Sequence, residues 1–468
     1  MKKIKNSDND YQLIIIGSGP AGMSAANFAI KNKLKTLLIE KTSCEGGECT
    51  HNGCIPAKTM MHVAKVYSNA KTGGYMGLKA STLGYNFPSI VKWRDLAVEN
   101  TGICSMLKDM QKRGLQVVRG DAKFSGPNSI KVNSKDKFNF DHAIIATGGR
   151  ARVPSNIEGL NEVGYLTYNQ ATQIKKAPKS VAILGGSAIG CEFMQLLNAL
   201  GSKVIIIEKS DYLMNFADVQ ASDLIKRIYT ERGVDIHLGA KLNSVARVGT
   251  KKELNLTNST GEALTIKVDE IIVASGKDPN TDLSLKSAKV EFNPQCIEVN
   301  RRLETANKNI YAIGDVVGPL KFTHTGIYQA EIAVFNILNS RKKKETDYDS
   351  VAYNIFTNPE MASLGLSEQA AISRDIRYVV GFCDIVEIAR ADTNGEQNGF
   401  IKIIADPENG LIIGATIVAP RAGEMIQELG LAMKYGISVG QVAEMVHIFP
   451  TWSEAVRIAA NRAASKVG

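Results

Sequence analysis

Two stretches far apart in the chain are written on one pattern. The first, QLIIIGSGPAGMSAANFAIKNKLKTLLIEK, starts at Gln12, and the second, SVAILGGSAIGCEFMQLLNALGSKVIIIEK, starts at Ser180. Each reads as an apolar strand, a glycine turn, a helix with small residues along one face, and a second apolar strand that ends in glutamate. The separation from first glycine to terminal glutamate is 23 positions in both copies, Gly17 to Glu40 and Gly185 to Glu208. One βαβ unit is used twice, so the fold class is α/β with two Rossmann-like halves.

The chemistry this unit permits follows from its residues. Gly17 makes the turn, Gly19 lets backbone approach a pyrophosphate, and Gly22 allows helix to pack on strand. The helix N-terminus supplies free amides and the positive end of a dipole. Glu40 is placed to accept from a ribose. In the second copy Gly185, Gly190 and Glu208 keep these roles, but Ser187 replaces the middle glycine and its side chain is expected to crowd the phosphate approach. Glu208 favours NAD(H), because a carboxylate accepts ribose hydroxyls and repels a 2′-phosphate; Lys209 beside it softens the preference and leaves NADP(H) open. Either copy alone is also compatible with an ordinary strand-to-helix turn.

At 468 residues the chain has room for two to four domains and a large enclosed ligand. Its start carries an apolar run of only Leu13–Ile16 before glycine, too short for a signal-peptide core or a membrane span, so a cytoplasmic protein with no membrane association is expected. The net charge of +9 is scattered, with tight runs only at KKIK and at RKKK, 341–344. That pattern reads as solvated surface, and no nucleic-acid partner is expected.

Three more apolar strands end in glycine: HAIIATGGR (142–150), EIIVASGKDPNT (270–281) and NIYAIGDVVG (309–318). Each fits a buried parallel strand meeting a ligand at its C-terminal end. Asp315, at such an end, is suited to a sugar or polyol hydroxyl, or to capping a helix. RKKKETDYDS (341–350) reads as a linker. Beyond it, FIKIIADPENGLIIGATIVA with a turn at 407–410, and helical stretches at 423–435 and 453–465, indicate an α+β domain.

Seven cysteines, an odd number in a long chain, do not form a secreted disulfide framework. CEGGECTHNGC contains three of them with His51, which raises zinc as a rival, although the spacing is not that of paired zinc ligands. Burial as small hydrophobes is assigned to Cys104, Cys191, Cys296 and Cys383. Cys54 differs: CIPAKTMMHVAKVYSNA reads as a helix with Pro56 in its first turn, which puts Cys54 where amides and dipole favour thiolate. Four residues intervene before Cys49, enough for a loop that brings it back. Such an asymmetric pair suits dithiol exchange.

GGECTHNGCIPAK resembles the redox-active disulfide motif of the class I pyridine nucleotide-disulfide oxidoreductases, flavoproteins that include lipoamide dehydrogenase, glutathione reductase and mercuric reductase. The resemblance runs over residues 11 to 465. It implies FAD on the first fingerprint and NAD(P)H on the second, with hydride passing from nicotinamide to flavin and on to the disulfide. Cys54 matches the flavin-facing sulfur and Cys49 the interchange sulfur; Lys58 matches the lysine by the flavin, paired with a glutamate matched by Glu192. The FAD-contacting set implied is Gly17, Gly19, Pro20, Ala21, Gly22, Glu40, Lys41, Gly47, Lys58, Thr147, Gly148, Gly314 and Asp315. Gly276 joins Gly185, Gly190 and Glu208 among the other cofactor positions. THTGIYQAEIAVFNIL resembles the helix aimed at the flavin pyrimidine. The implied domains are 1–150 and 276–345 for FAD, 151–275 for NAD(P) and 346–468 for dimerisation, as a homodimer.

The pattern breaks near the end. Most disulfide-reducing members carry H-P-T there, with a catalytic histidine oriented by glutamate; this chain reads HIFPTWSE, so Phe449 stands at that position and Glu454 lacks its imidazole. His447 and His51 are either substitute bases or packed residues. The ending AASKVG lacks the paired cysteines of mercuric reductases, and their N-terminal metal-binding domain is not expected either. Cys44 is a surface residue or a soft-metal contact; no resident metal is expected. The readings that follow are an NAD(P)H-dependent disulfide oxidoreductase with a small-molecule disulfide or another acceptor, a reductase of metal ions, quinones or oxygen, and a redox-sensing flavoprotein with little turnover.

Overall fold

The computed structural model describes residues 9–42, 45–79, 83–318 and 320–468. The chain divides into two compact units, one of Met1–Thr59, Ser89–Arg152 and Gly276–Thr346, the other of Met60–Pro88, Val153–Ser275 and Asp347–Gly468.

In the first unit a seven-stranded sheet is ordered Gln116–Arg119, Thr36–Glu40, Tyr11–Ile16, Asp136–Ile145, Ser129–Val132 and Ala122–Gly126, with Ile310–Ala312 beside Asp136–Ile145. Its central strands are parallel and in register at their ends. Ile16 lies beside Ile39 and Ile145, and Ala312 beside Ile145. Four chain segments therefore leave the sheet along one edge, where open α/β sheets take ligands. Both faces are buried, which is why Leu13–Ile16 and Leu37–Ile39 are apolar without alternation. Helix Pro20–Lys31 turns Met23, Ala25, Ala26 and Ala29 inward and shares a core with helix Thr323–Leu338. Small residues set their approach: a Cβ on Gly326 would lie 3.1 Å from Cβ of Ala21.

The second unit holds the other βαβ copy in a five-stranded parallel sheet, ordered Asp235–His237, Lys203–Ile207, Ser180–Leu184, Glu270–Val273 and Leu166–Thr167. Further on, Tyr353–Ile355, Glu360–Gly365, Ile412–Ala419, Phe400–Ala405 and Val379–Asp384 form an antiparallel sheet under helices Ala422–Tyr435 and Glu454–Ala464. The segment read as a linker, 341–350, carries the boundary between the two units, after Thr346, and its first half is tied down. Thr346 N donates to Arg301 O at 2.7 Å, Asn336 Nδ2 donates to Lys344 O at 2.9 Å, and Lys343 pairs with Glu304. Among the described residues no helix is long and apolar enough to cross a membrane.

The strand FIKIIA is buried along its whole length, and that includes Lys402, whose side chain is 1% exposed. A buried ammonium is tolerated only when matched by charge. Asp218, 0% exposed, accepts from it at 3.0 and 3.1 Å while capping helix Val219–Glu231 through Gln220 N, and Glu368 accepts at 2.9 Å. Asp218→Asn removes the buried counter-charge and is expected to cost about 3 kcal/mol or more. A melting temperature within a degree of the parent's would contradict this account of Lys402.

Candidate redox site

The site begins with the first glycine turn. Gly17 has φ +102°, and a Cβ there would stand 2.4 Å from Ala146 O; one on Gly22 would stand 1.9 Å from Gly17 O. Only glycine allows the helix to start this close to the sheet. At Gly19, the N-cap, a Cβ would meet nothing within 4 Å, so open space lies along the backbone just where the helix amides begin. Pro20 occupies the first helical position.

The second copy repeats the device. Gly185 has φ +110° with Ala274 O at 2.6 Å from a built Cβ, and Gly190 would clash with Gly185 O at 2.0 Å. Ser187, expected to crowd the phosphate approach, donates its hydroxyl to Ala274 O at 2.8 Å and accepts from Gly190 N at 3.3 Å as the N-cap of the helix. The terminal glutamates are also paired in kind. Glu40 accepts from Ser18 N (2.8 Å), Ser18 Oγ (2.7 Å), Thr42 N (2.7 Å) and Thr42 Oγ1 (2.9 Å). Burial pushes its pKa up, but these four bonds outweigh it and hold the carboxyl below the ordinary range. Glu208 accepts from Gly186 N at 2.6 Å and Ser210 N at 2.8 Å.

The cysteine loop is built directly on the first turn. Gly46 N donates to Ser18 O at 2.9 Å, and Gly47, at φ +61°, leaves no room for a side chain because its Cβ would lie 2.9 Å from Gly19 Cα. The chain then makes a helical turn, Gly47–His51, and starts helix Cys54–Thr72 with Cys54 at its first residue. Both cysteines are free thiols, joined by a hydrogen bond. Thr323, at the start of helix Thr323–Leu338, donates to Cys49 Sγ at 3.1 Å and lies 3.5 Å from Cys54 Sγ.

This arrangement splits the two thiols. Cys54 is lowered to about 6, chiefly by the hydrogen bond from Cys49, which overcomes burial with help from Thr323, Lys58 and Lys277. Cys49 moves upward, because it donates that bond, is desolvated, and faces the Cys54 charge. One sulfur is poised as thiolate at neutral pH and the other keeps its proton.

Other expected residues are placed as follows. Asp315, in the turn Gly314–Val316, pairs with Lys277 at 3.0 Å, and Gly314 N donates to buried Gln329 at 2.6 Å. Thr147 donates to Asn280 O at 2.8 Å, and Asn280 Nδ2 returns a bond to Thr147 O at 2.9 Å. Gly148 and Gly276 have φ +66° and +116°. Lys41 is solvent-facing and pairs with Asp121 at 3.2 Å. In the second unit Glu192 is buried and accepts from Phe356 N at 3.2 Å. Thr323, Lys277 and Asn280 escaped the sequence reading, since nothing local marks a residue whose partners lie on another strand or helix.

Near the C-terminus Phe449 is 68% exposed, beside exposed Val446 and Ile448. The His447 side chain is 2% exposed, with Nδ1 at 3.0 Å from Met445 O and Nε2 at 3.3 Å from Glu428. Glu454 opens helix Glu454–Ala464, and one of its carboxylate oxygens is buried without a hydrogen bond. Phe449, Glu454, His447 and Arg457 help line a surface cavity of about 400 Å³. His51 Nε2 lies 2.6 Å from Glu45 O. Of the four cysteines expected to be buried, Cys191 and Cys383 are, but Cys296 is half-buried and Cys104 is exposed. Helix Ile103–Lys112 buries Leu107 and Met110, and Cys104 falls on its outer face. Cys44 lies outside the described residues.

Comparison with known proteins agrees with this construction. The family model for pyridine nucleotide-disulphide oxidoreductases matches residues 11–334, and that for their dimerisation domain matches 351–460. The chain belongs to the pyridine nucleotide-disulphide oxidoreductases. Members of this family bind FAD and NAD(P)H, and those are the cofactors of this chain; homodimers are formed in the family through the second domain. A dihydrolipoyl dehydrogenase of Chlorobaculum tepidum is 32% identical, covering 98% of this chain and 98% of that protein. A mercuric reductase of Staphylococcus aureus is 31% identical, covering 97% of this chain and 83% of the relative. Among solved structures, the HOCl-induced flavoprotein disulfide reductase RclA from Escherichia coli superposes with a TM-score of 0.85 at 27% identity, over 98% of this chain and all of that one. The same reductase has also been solved as a Cu(II) complex.

Thr323→Val tests the shared hydroxyl. In the fully reduced protein, alkylation of Cys54 should titrate near pH 6 in the parent and roughly half a unit or more higher in the variant, because a hydrogen bond to the charged form is lost. An unmoved midpoint would remove Thr323 from the site.

Proposed function

We propose that this chain is an NADH-preferring flavoprotein oxidoreductase that works through the Cys49–Cys54 pair, with the electron path of a dihydrolipoyl dehydrogenase and an acceptor that takes no proton from a protein imidazole. The observation that carries it is the split pair of thiols held by one hydroxyl at the start of a helix. Open backbone at Gly19, the engaged carboxylate of Glu40 and the strand-end acid Asp315 fit the pyrophosphate, adenosine and ribityl portions of FAD, in that order, and Gly185, Gly190 and Glu208 fit NADH. Bound FAD supplies two-electron transfer between reduced nicotinamide and the sulfurs.

The residues do the rest. Cys54 rests as thiolate, steadied by Thr323, Lys58 and Lys277. Cys49 passes its proton along the bond to Cys54 or to water and becomes the attacking sulfur. With a disulfide acceptor, Cys49 displaces one thiolate to form a mixed disulfide, and Cys54 displaces the second as it closes the Cys49–Cys54 bond. Both departing thiolates need protons, and Phe449 has none to give. Glu454 is left as the remnant of an acid/base pair.

A second reading for the acceptor rests on the same gap. A thiophilic metal ion bound by both sulfurs accepts electrons without protonation of a leaving group, and a structural neighbour has been solved with Cu(II). Steady-state turnover with NADH and NADPH against lipoamide, glutathione disulfide, a quinone, Cu(II) and Hg(II) separates the readings. NADH should outperform NADPH, and disulfide turnover should be slow. Restoring the base as Phe449→His should raise disulfide turnover by about tenfold or more, given the ~10² to 10⁴ that positioned acid/base groups supply, and leave metal-ion turnover unchanged. Fast lipoamide turnover in the parent, or no gain in the variant, would contradict the assignment of Phe449.

A further inference from the structure

The turn that carries Cys49 is held from outside by the ammonium of Lys277, which also bonds a strand-end acid. Lys277 begins the short strand Lys277–Pro279, paired antiparallel to Gly149–Ala151. Its ammonium lies 3.0 Å from Asp315 Oδ2 and 3.3 Å from Glu48 Oε2. Glu48 immediately precedes Cys49 on the helical turn Gly47–His51, and its carbonyl accepts from Asn52 N at 2.9 Å. A single side chain thus joins the redox turn to the acid at the end of a central strand.

We infer that Lys277 is a positioning residue for the dithiol: through Glu48 it fixes the turn bearing Cys49 against Asp315. This rests on the reading of Cys49 and Cys54 as the redox pair. Geometry favours a fixed ammonium. The Lys277 side chain is 20% exposed, its backbone carbonyl accepts from Lys321 Nζ at 3.1 Å and Arg152 Nη2 at 3.3 Å, and Arg152 is itself held by Asp278 at 2.6 Å. Glu48 and Asp315 meet its ammonium, Lys321 and Arg152 meet its carbonyl, and Asp278 stands behind Arg152. The direction of its effect on Cys54 is toward thiolate. A five-residue helical turn has little stability of its own, so an external tie decides how well Cys49 is held.

The test uses FAD-loaded, NADH-reduced protein and three variants, Lys277→Met, Lys277→Arg and Glu48→Gln. Two readouts are followed: the pH midpoint of the long-wavelength thiolate-to-flavin absorbance, and the rate of Cys49 alkylation located by peptide mapping. Lys277→Met should raise the midpoint by about half a unit or more, and Lys277→Arg should restore it. Both Lys277→Met and Glu48→Gln should speed Cys49 alkylation about threefold or more, because each cuts the same tie. Should Lys277→Met fail to fold or retain FAD, Glu48→Gln carries the test alone. Alkylation unchanged in Glu48→Gln, or a midpoint unmoved in Lys277→Met, would overturn the inference. Absence of the absorbance in the parent would instead sink the redox pair itself.

Discussion

The site depends on one contact between backbones. Gly46 donates to Ser18 O, and Gly47 lies against Gly19 with no space for a side chain. The turn that can receive a pyrophosphate and the loop that carries the cysteines are therefore one piece of structure. Because that turn is fixed in its own right by Gly17 against Ala146 and Gly22 against Gly17, the position of the sulfurs is inherited from the parallel sheet. Loops placed by a rigid scaffold in this manner are where chemistry is usually found.

Chemical asymmetry follows from that placement. The two thiols are similar groups a few residues apart, yet one begins a long helix and the other sits in a short turn. The hydrogen bond between them can stabilise charge on only one partner at a time; Thr323 and Lys58 lower both thiols, and Lys277 adds to Cys54. Buried thiols such as Cys191 show the opposite outcome, where desolvation, joined by the charges of Glu192 and Glu208, pushes the group upward. Location in the fold, rather than residue type, makes a cysteine reactive.

Much of this was legible in the chain. The repeated βαβ unit announces itself because both faces of its strands are buried, so LIII and VAIL run without polar interruption, and because the glycines answer steric demands that no other residue meets. Two strands of the C-terminal domain are legible in FIKIIA and IIGATIVA on either side of a turn, and they pair antiparallel. What stayed hidden depends on distant partners. Thr323 and Cys49 are 274 positions apart, and no local pattern marks a threonine for that contact. Cys104 is exposed against the expectation of burial because Leu107 and Met110 set the inward face of its helix. Nor does local sequence reveal that the Ser187 hydroxyl bonds Ala274 O, 87 positions away.

The central claim is that Cys54 is the thiolate that meets the flavin while Cys49 is the exchanging sulfur. Anaerobic spectra of FAD-loaded Cys49→Ser and Cys54→Ser at neutral pH test it most directly. The account predicts long-wavelength absorbance in Cys49→Ser before any reductant is added, since its remaining sulfur is the one held as thiolate, and none in Cys54→Ser at any stage of NADH titration. The same band in Cys54→Ser, or in neither variant, would contradict it.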